Sequence, residues 1–515
     1  MTSANGNGQC SPPPDLTPVS AHPHPRGRGR TRTAAHPGEG PRMIHLYGTT
    51  DVGTEHGTAL PTASAGENLR LALACFLPDH LTGLFRTRPR FAALAARLDA
   101  ARHSLETMRR MRRRHGRGPV LVRGTSGPTL LVLDADDARQ VLAGPVDVYA
   151  VDTWEKVAGF AEVQPDTLIA SHGRQRTVRR AFNDSVLDAG CPVHRLADHF
   201  LRVVGEEASS LLGPRAVAGL DADAVRDRFE RVGRRCFLGE AAADDVEFSR
   251  LLGELLAEAN WLGARRWRTG AARRARRRMM LRQSRYLSDA DPRSLAGLFS
   301  AAPRGPETAP ECQLTHWFMG LSVVQAVAVQ ALALLATHPR QHERALMELR
   351  AADRRHGPRT VAGFLDMPYV RACVQDAARL WPPVTALMRR TTGETHWRGG
   401  AVAPGGVNVL VPAAFHARDG ERLDYAHRFT PEKWLDGAAE ADWAISPFSR
   451  GEAQCSGMEL GLQLATGFVA ELLRGGELAV SGVRLSAARP LPYSFDATRL
   501  RIGVRPTGHR TEADA

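Results

Sequence analysis

The sequence predicts a mainly α protein with a small β region, one large domain built around a long central helix. Three observations carry this. Residues 312–339, "CQLTHWFMGLSVVQAVAVQALALLATHP", are apolar on nearly every side, the pattern of a buried helix. Helical stretches flank it, at 66–114, over most of 193–301 and at 340–352. β-Branched runs with glycine turns are confined to short stretches near 118–133 and 399–415, and no βαβ alternation runs through the chain.

Residues 1–45 hold "SPPPDL" and "HPHPRGRGRTRT" without apolar periodicity, and a disordered tail is expected there. Residues 46–118 read as a helical, basic segment. "ENLRLALACFL" is amphipathic, and "FAALAARLDAARHSLETMRRMRRRHG" ends in arginines that suit the negative end of a helix dipole. The main domain is expected over 119–505, followed by a short disordered tail at 506–515. It opens with "GPVLVRGTSGPTLLVLDADDARQVL", two short strands and a helix, with "SGP" as the turn and Asp134 or Asp136 as the cap. The central stretch, read as one helix of about 25 residues, spans about 38 Å. Pro339 closes it, and "RQHERALMELRAA" starts another helix. No internal repeat is found.

Composition narrows the function. The chain has 515 residues, 43% hydrophobic, with a net charge of +13 that favours acidic partners. The 7 cysteines are scattered, with no C-x-x-C pair, which argues against structural zinc and a disulfide framework and for a reducing compartment. No unbroken apolar run of ~18 residues and no secretory signal is visible, so a cytoplasmic protein is expected. Arginine clusters at 26–32, 109–118 and 264–282 raise the rival reading of a nucleic-acid-binding protein. No zinc pattern, RNA-binding aromatic signature or clear helix-turn-helix supports it. The third cluster, with Trp261 and Trp267, suits peripheral contact with an anionic membrane surface. A basic face also suits docking of an acidic ferredoxin.

One loop carries chemistry. In "PFSRGEAQCSGMELG", Phe448, Gly451, Cys455 and Gly457 stand at the spacing F-x-x-G-x-x-x-C-x-G, ahead of an apolar helical pattern. A lone cysteine most often fills a core. A cysteine holding haem iron as a thiolate needs shielding from water and backbone N–H donors. A glycine-permitted turn and the start of a helix supply these donors. On this picture Phe448 shields the sulfur and Gly457 lets the chain pass under a flat macrocycle. The spacing resembles the signature of the cytochrome P450 family of haem-thiolate monooxygenases. Companion motifs stand in that family's order. "DAARLWPP" is similar to its E-x-x-R helix, with Asp376 for the glutamate and Arg379 for the arginine. "FTPEKW" is similar to its F-x-P-E-R segment, with Lys433 for the arginine. The resemblance covers roughly residues 115–505 and implies a divergent bacterial-type member with that fold.

The resemblance implies haem b, with Cys455 as the axial ligand and metal-binding residue. It implies haem carboxylate partners at Arg179, at Gln175 in the family's Trp/His position, at Arg389, and at His416 in "FHARD". Asp376, Arg379 and Lys433 should lock the core beneath the cysteine loop, with Arg428 compensating for the arginine absent at 433. Ala453 replaces a basic residue, so one carboxylate contact is missing. The central helix should open over the iron at Gly320, with Ser322 where the family has an acid and Val323 where it has a threonine. Gln325 could hold a water beside Ser322. The implied activity is insertion of oxygen from O2 into a lipophilic small molecule, such as a bacterial secondary metabolite. Electrons would come from a ferredoxin or flavodoxin-type donor and its reductase. The missing acid–alcohol pair leaves a second reading open: peroxide use, a non-oxidative rearrangement, or haem binding alone.

Overall fold

The computed structural model describes residues 59–506. The tail expected over 1–45, the first arginine cluster and the residues after Pro506 lie outside the described residues.

The central helix runs from Pro310 to Thr337, 28 residues. Proline at its first position has the φ a helix needs and no N–H to leave unpaired. Pro339 likewise opens the next helix, Pro339–His356, so the central helix ends just before it. Its C-terminal half, Val327–Leu335, is buried on every side. By length and apolarity this helix could cross a membrane. Here it is packed by helices Ala222–Gly233, Pro368–Leu380 and Met458–Arg474, and forms the axis of the main apolar core. This is the all-round apolar helix that the sequence predicts.

The strands are β1 (Val120–Gly124), β2 (Gly127–Leu131), β3 (Tyr149–Ala150), β4 (Leu387–Thr391), β5 (Thr395–His396), β6 (Val402–Ala403), β7 (Asn408–Val411), β8 (Glu477–Ser481) and β9 (Arg501–Arg505). One sheet has the order β1-β2-β7-β4-β3, in which only the β2–β7 pairing is parallel. β5–β6 and β8–β9 form small antiparallel pairs. Successive residues of β2 and β7 serve opposite faces, as the pleat requires. Leu130, Val409 and Val411 join one apolar cluster, while Leu131 and Leu410 join another. β4 delivers Arg389 from this sheet to the site described below. Asp134, one of the two expected caps, accepts from Asp136 N–H and starts helix Ala135–Ala143.

The basic stretch expected to be helical over 66–114 is interrupted. Helix Ala65–Leu71 starts from a Ser64–Glu67 capping box and continues through a π turn to Thr82. Gly83 breaks it at φ +102°, and Asp99, at φ +48°, separates helix Pro89–Arg97 from helix Ala100–His115. Leu105, Met108 and Met111 of the last helix cover one face of the sheet. Its terminal arginines do not form a free basic face. Arg112 forks onto Asp419 and Glu421, and Arg113 binds Glu421. In the third cluster, Arg273 pairs with Glu162, Arg278 with Glu247 and Arg282 with Asp245. Much of the charge that raised the nucleic-acid reading is neutralised within the fold.

Candidate functional site

The cysteine loop enters helix Met458–Arg474 through a tightly tied turn. Cys455 N–H donates to Phe448 C=O at 2.9 Å, and Gln454 N–H donates to Gly451 C=O at 3.0 Å. Gly451 has φ +61°, and a Cβ there would stand 2.4 Å from Leu142 O, so only glycine fits. Ser449 holds a left-handed φ of +58° without being glycine, and its hydroxyl accepts from Arg389 at 2.8 Å. Arg180 grips the loop from outside, donating to Gln454 C=O at 2.6 Å and Glu452 C=O at 3.2 Å. Gly457, at φ −93°, has a backbone open to any residue, and the nearest atom to an added Cβ is Leu187 Cδ1 at 3.7 Å. No protein contact therefore demands glycine at 457.

Cys455 differs from the other described cysteines. Cys75, Cys236, Cys312 and Cys373 are buried, whereas Cys455 is exposed. Burial among the loop atoms still pushes its thiol pKa up, while the Gly457 N–H and the Arg180 guanidinium oppose that shift. Cys455 is thus an exposed residue whose sulfur is nevertheless closely surrounded by protein atoms. Burial first, with the Asp79 charge, pushes Cys75 up to about 12 against a hydrogen bond from Ser104, which keeps it an inert thiol.

Beneath the loop lies a buried polar knot. Arg379 and Asp376 have no exposed side-chain surface and meet at 2.6 and 3.1 Å. Arg379 also donates to the carbonyls of Ala417, Ala426 and Arg428. Asp376 accepts from Thr430 N–H at 2.8 Å and Trp434 Nε1 at 3.1 Å. Lys433, expected as the third member, is absent from the knot. It pairs with Asp436 at 3.5 Å near the surface and lies over the Tyr425 ring. Its ammonium lacks the fork that would reach several partners at once, and Trp434 and backbone groups take that place. Arg428 contributes only its carbonyl.

The cations near the cleft sit one register away from two of the expected positions. Gln175 is exposed. Arg179 is buried but turned aside, donating to Asp166 and Glu307 C=O, both at 2.9 Å. His416 is enclosed and bonded to Val132 C=O at 3.0 Å, within the core rather than in the cleft. Arg176, one turn before Arg180 on the same helix, also reaches the loop, with a bond to Glu452 C=O at 3.3 Å. Arg389, expected as a haem carboxylate partner, is buried and reaches the cysteine loop through the Ser449 hydroxyl at 2.8 Å. Lys156, on helix Trp154–Phe160, completes the group. Its ammonium donates to Val151 C=O at 2.8 Å and Met388 C=O at 3.2 Å. Burial first pushes all three down: Lys156 to about 7, with repulsion from Arg389 and Arg176, Arg176 to about 10, with repulsion from Arg180, and Arg389 to about 10, with repulsion from Arg176. No carboxylate among the described residues forms an ion pair with any of the three. Sequence reasoning overlooked Lys156, Arg176 and Arg180. "RQRTVRR" offers arginines at several helical registers, and only the turn onto the loop selects 176 and 180.

The central helix supplies the opposite wall. Its middle, Met319 to Ala326, is half-buried or exposed except at Leu321, although buried residues lie on either side of it in sequence. His316, Gly320 and Val323 share one face at helical spacing. Ser322 is exposed, its hydroxyl donating to Met319 C=O at 2.7 Å. Gln325 points away, donating to Ala222 C=O at 3.3 Å, and so does not stand beside Ser322. The cysteine helix passes close by, since a Cβ on Gly461 would meet Val324 Cγ2 at 3.1 Å. Val384 and Thr385, also exposed, lie between helix Pro368–Leu380 and β4.

This donor set fits a haem. An open sulfur with N–H support suits iron, and buried arginines without counterions suit two carboxylates. A largely apolar cleft wall suits a flat macrocycle.

Comparisons with known proteins agree. Residues 325–484 match the model of the family described as Cytochrome P450. "Cytochrome P450 4c3" of Drosophila melanogaster is 29% identical over 164 residues, 31% of this chain and 30% of that protein. "Cytochrome P450 monooxygenase lnbC" of Aspergillus flavus is 34% identical over 134 residues, 25% of this chain and 27% of that protein. The matched stretch thus spans less than a third of each of these two relatives. Among solved structures, "Retinoic acid bound cyanobacterial CYP120A1" superposes with a TM-score of 0.61 at 18% identity, covering 77% of this chain and 94% of that one. That likeness concerns the fold, a mainly helical architecture.

Proposed function

The chain belongs to the cytochrome P450 family, and from that premise we propose that it is a monooxygenase acting on a lipophilic small molecule, with Cys455 as the ligand of its haem iron. The family's cofactor is haem held by a cysteine thiolate. The observation that carries the proposal is the exposed Cys455 on its tied loop, with Arg176 and Arg389 bonded to that loop and in no ion pair among the described residues. The haem, when bound, supplies the oxygen chemistry that no side chain here can perform.

The chain's own residues hold and shape the site. Gly457 N–H and Arg180 favour the thiolate over the thiol. Arg176 and Arg389 would hold the haem carboxylates, and both are already fixed to the cysteine loop, so cofactor and ligand are positioned together. Gly320, Val323, Val384 and Thr385 leave a mostly apolar space for substrate and keep water low. Ser322 presents the hydroxyl on this turn of the helix and, with water or a substrate hydroxyl, would hold a proton on this side of the site. Two electrons come singly from a ferredoxin or flavodoxin-type donor, an acidic partner that the net charge of +13 favours.

The test is turnover of a panel of lipophilic compounds with a ferredoxin, its reductase and isotopically labelled O2. Products bearing one labelled oxygen are expected. The absence of an acid at Ser322 and of an alcohol at Val323 favours peroxide use as the second reading. Products formed only with added peroxide, without label from O2, would establish it instead.

A further inference from the structure

A groove of about 400 Å³ opens between the N-terminal helices, lined by no residue of the cysteine site. That size lies within the range of small-molecule sites, about 300–1,000 Å³. One wall is the helix that runs from Ala65 through the π turn Ala72–Phe76 to Thr82. The other is helix Ala100–His115. Small side chains create the hollow, because Ala74 and Ala100 on the facing walls, with the compact Pro78, leave the space between the helices unfilled. Leu73 and Leu98 flank this floor and keep 57% and 62% of their surface exposed. Leu73 and Ala74 belong to the π turn, a distortion frequent at functional sites.

The two walls run antiparallel. Glu67 meets His115 at 3.1 Å, and the Ser104 hydroxyl donates to the Cys75 sulfur at 3.0 Å. This register sets Arg70 and Arg110 at one end of the groove, with Pro78, Leu98 and Ala100 at the other. Arg70 to Pro78 is about 12 Å along the helix. Arg70 is exposed, and no carboxylate among the described residues pairs with it. The nearby Glu67 is taken by His115 and Arg114. Arg110 stands 3.7 Å from Glu106, which Arg102 already holds at 2.8 Å. No lining residue is acidic, and His103 adds a further donor to the wall. One end thus presents two guanidinium groups and the remainder an apolar trough, the complement of an anionic head with an apolar tail. Two copies of this chain docked here would bring like charges together.

We propose that this groove binds a free amphiphilic carboxylic acid with an unbranched apolar tail. Its carboxylate accepts from Arg70 and Arg110, and its tail lies along Leu73, Ala74, Pro78 and Leu98. The trough has room for one tail, so the occupant is a single molecule rather than a lipid surface. The inference goes beyond the monooxygenase reading and does not depend on it, because no residue of the cysteine site takes part.

The experiment uses haem-loaded full-length protein and decanoic acid bearing a photoreactive diazirine on its tail, kept below the concentration at which it forms micelles. After irradiation, peptide mass mapping locates the label. Labelling within residues 70–78 or 98–110 is expected. Decanoic acid should compete for it about fivefold better than its methyl ester, the factor exposed arginine pairs are worth, and salt should shrink that preference. Joint Arg70→Gln and Arg110→Gln should abolish the preference; both arginines are exposed, so the urea midpoint should not move. Ala74→Trp, which fills the trough, should abolish the labelling, whereas Arg97→Gln, outside the groove, should change neither. Label found only outside these segments, equal competition by acid and ester, or an unchanged preference in the double variant would overturn the proposal. Binding to phosphatidylglycerol vesicles that the double variant loses, with no labelling by the free acid, would overturn it in favour of a lipid surface.

Discussion

Removing Asp376 should be among the most damaging single changes in this protein. Its carboxylate receives two bonds from Arg379, one from Thr430 N–H and one from Trp434 Nε1, at a position with no exposed side chain. Asp376→Ala leaves the Arg379 guanidinium buried with only three carbonyls as partners. Breaking a buried pair from one side costs about 3–5 kcal/mol. That is a large share of the ~5–15 kcal/mol by which folded domains are stable. Asp376→Glu would install the acid of the family's motif, yet its extra methylene must fit a sealed site, at a cost of about 1–3 kcal/mol. Lys433→Ala should stay within about 1 kcal/mol, because the Lys433–Asp436 pair is partly exposed and 3.5 Å apart. Urea unfolding of the three variants, followed by far-ultraviolet circular dichroism, gives the ranking. If Lys433→Ala is as damaging as Asp376→Ala, lysine belongs to the knot and the packing described here is wrong.

Further outcomes follow from the same geometry. Gly451→Ala should sharply reduce haem retention, since its Cβ would meet Leu142 O at 2.4 Å in a left-handed backbone; a pyridine haemochrome assay checks this. Arg180→Gln should raise the Cys455 thiol pKa by removing a favourable charge, seen as a shift to higher pH in thiolate absorbance of haem-free protein relative to a Cys455→Ser control. Arg176→Ala should weaken haem binding, whereas Arg179→Ala should lower unfolding stability and spare haem affinity once folded. Acid should destabilise the fold between about pH 6.5 and 4. Burial holds His416 down to about 4, so as pH falls the unfolded chain takes up a proton that the folded one refuses. The stability lost by pH 4 amounts to about 3 kcal/mol for this residue, and His416→Asn should flatten the urea midpoint against pH over that window.

Much of this was legible from local pattern. An all-round apolar stretch between prolines specifies a buried helix, and the spacing around Cys455 specifies a tied turn ahead of a helix. Asp376 and Arg379, three residues apart on one helix, were bound to meet. What escaped depends on helix rotation and on tertiary neighbours. Which of Gln175, Arg176, Arg179 and Arg180 turns toward the loop is set by packing of Phe182 and Val186 into the core, and one register step exchanges the candidates. Lys433 looked like a substitute for arginine because sequence position does not report reach. His416 in "FHARD" fills a core position, bonded to Val132 C=O, because a short motif does not report which way a buried ring turns. Lys156 carries no motif, so only the fold shows that it shares the Met388 carbonyl with Arg389.

The central claim is that Cys455 holds haem iron as a thiolate. The direct measurement is a difference spectrum of the reduced, haem-loaded protein with carbon monoxide, beside Cys455→Ser. A red-shifted thiolate-type band in wild type and its absence in the variant are predicted. A wild-type spectrum lacking that band despite bound haem, or identical spectra from the two proteins, would contradict the account.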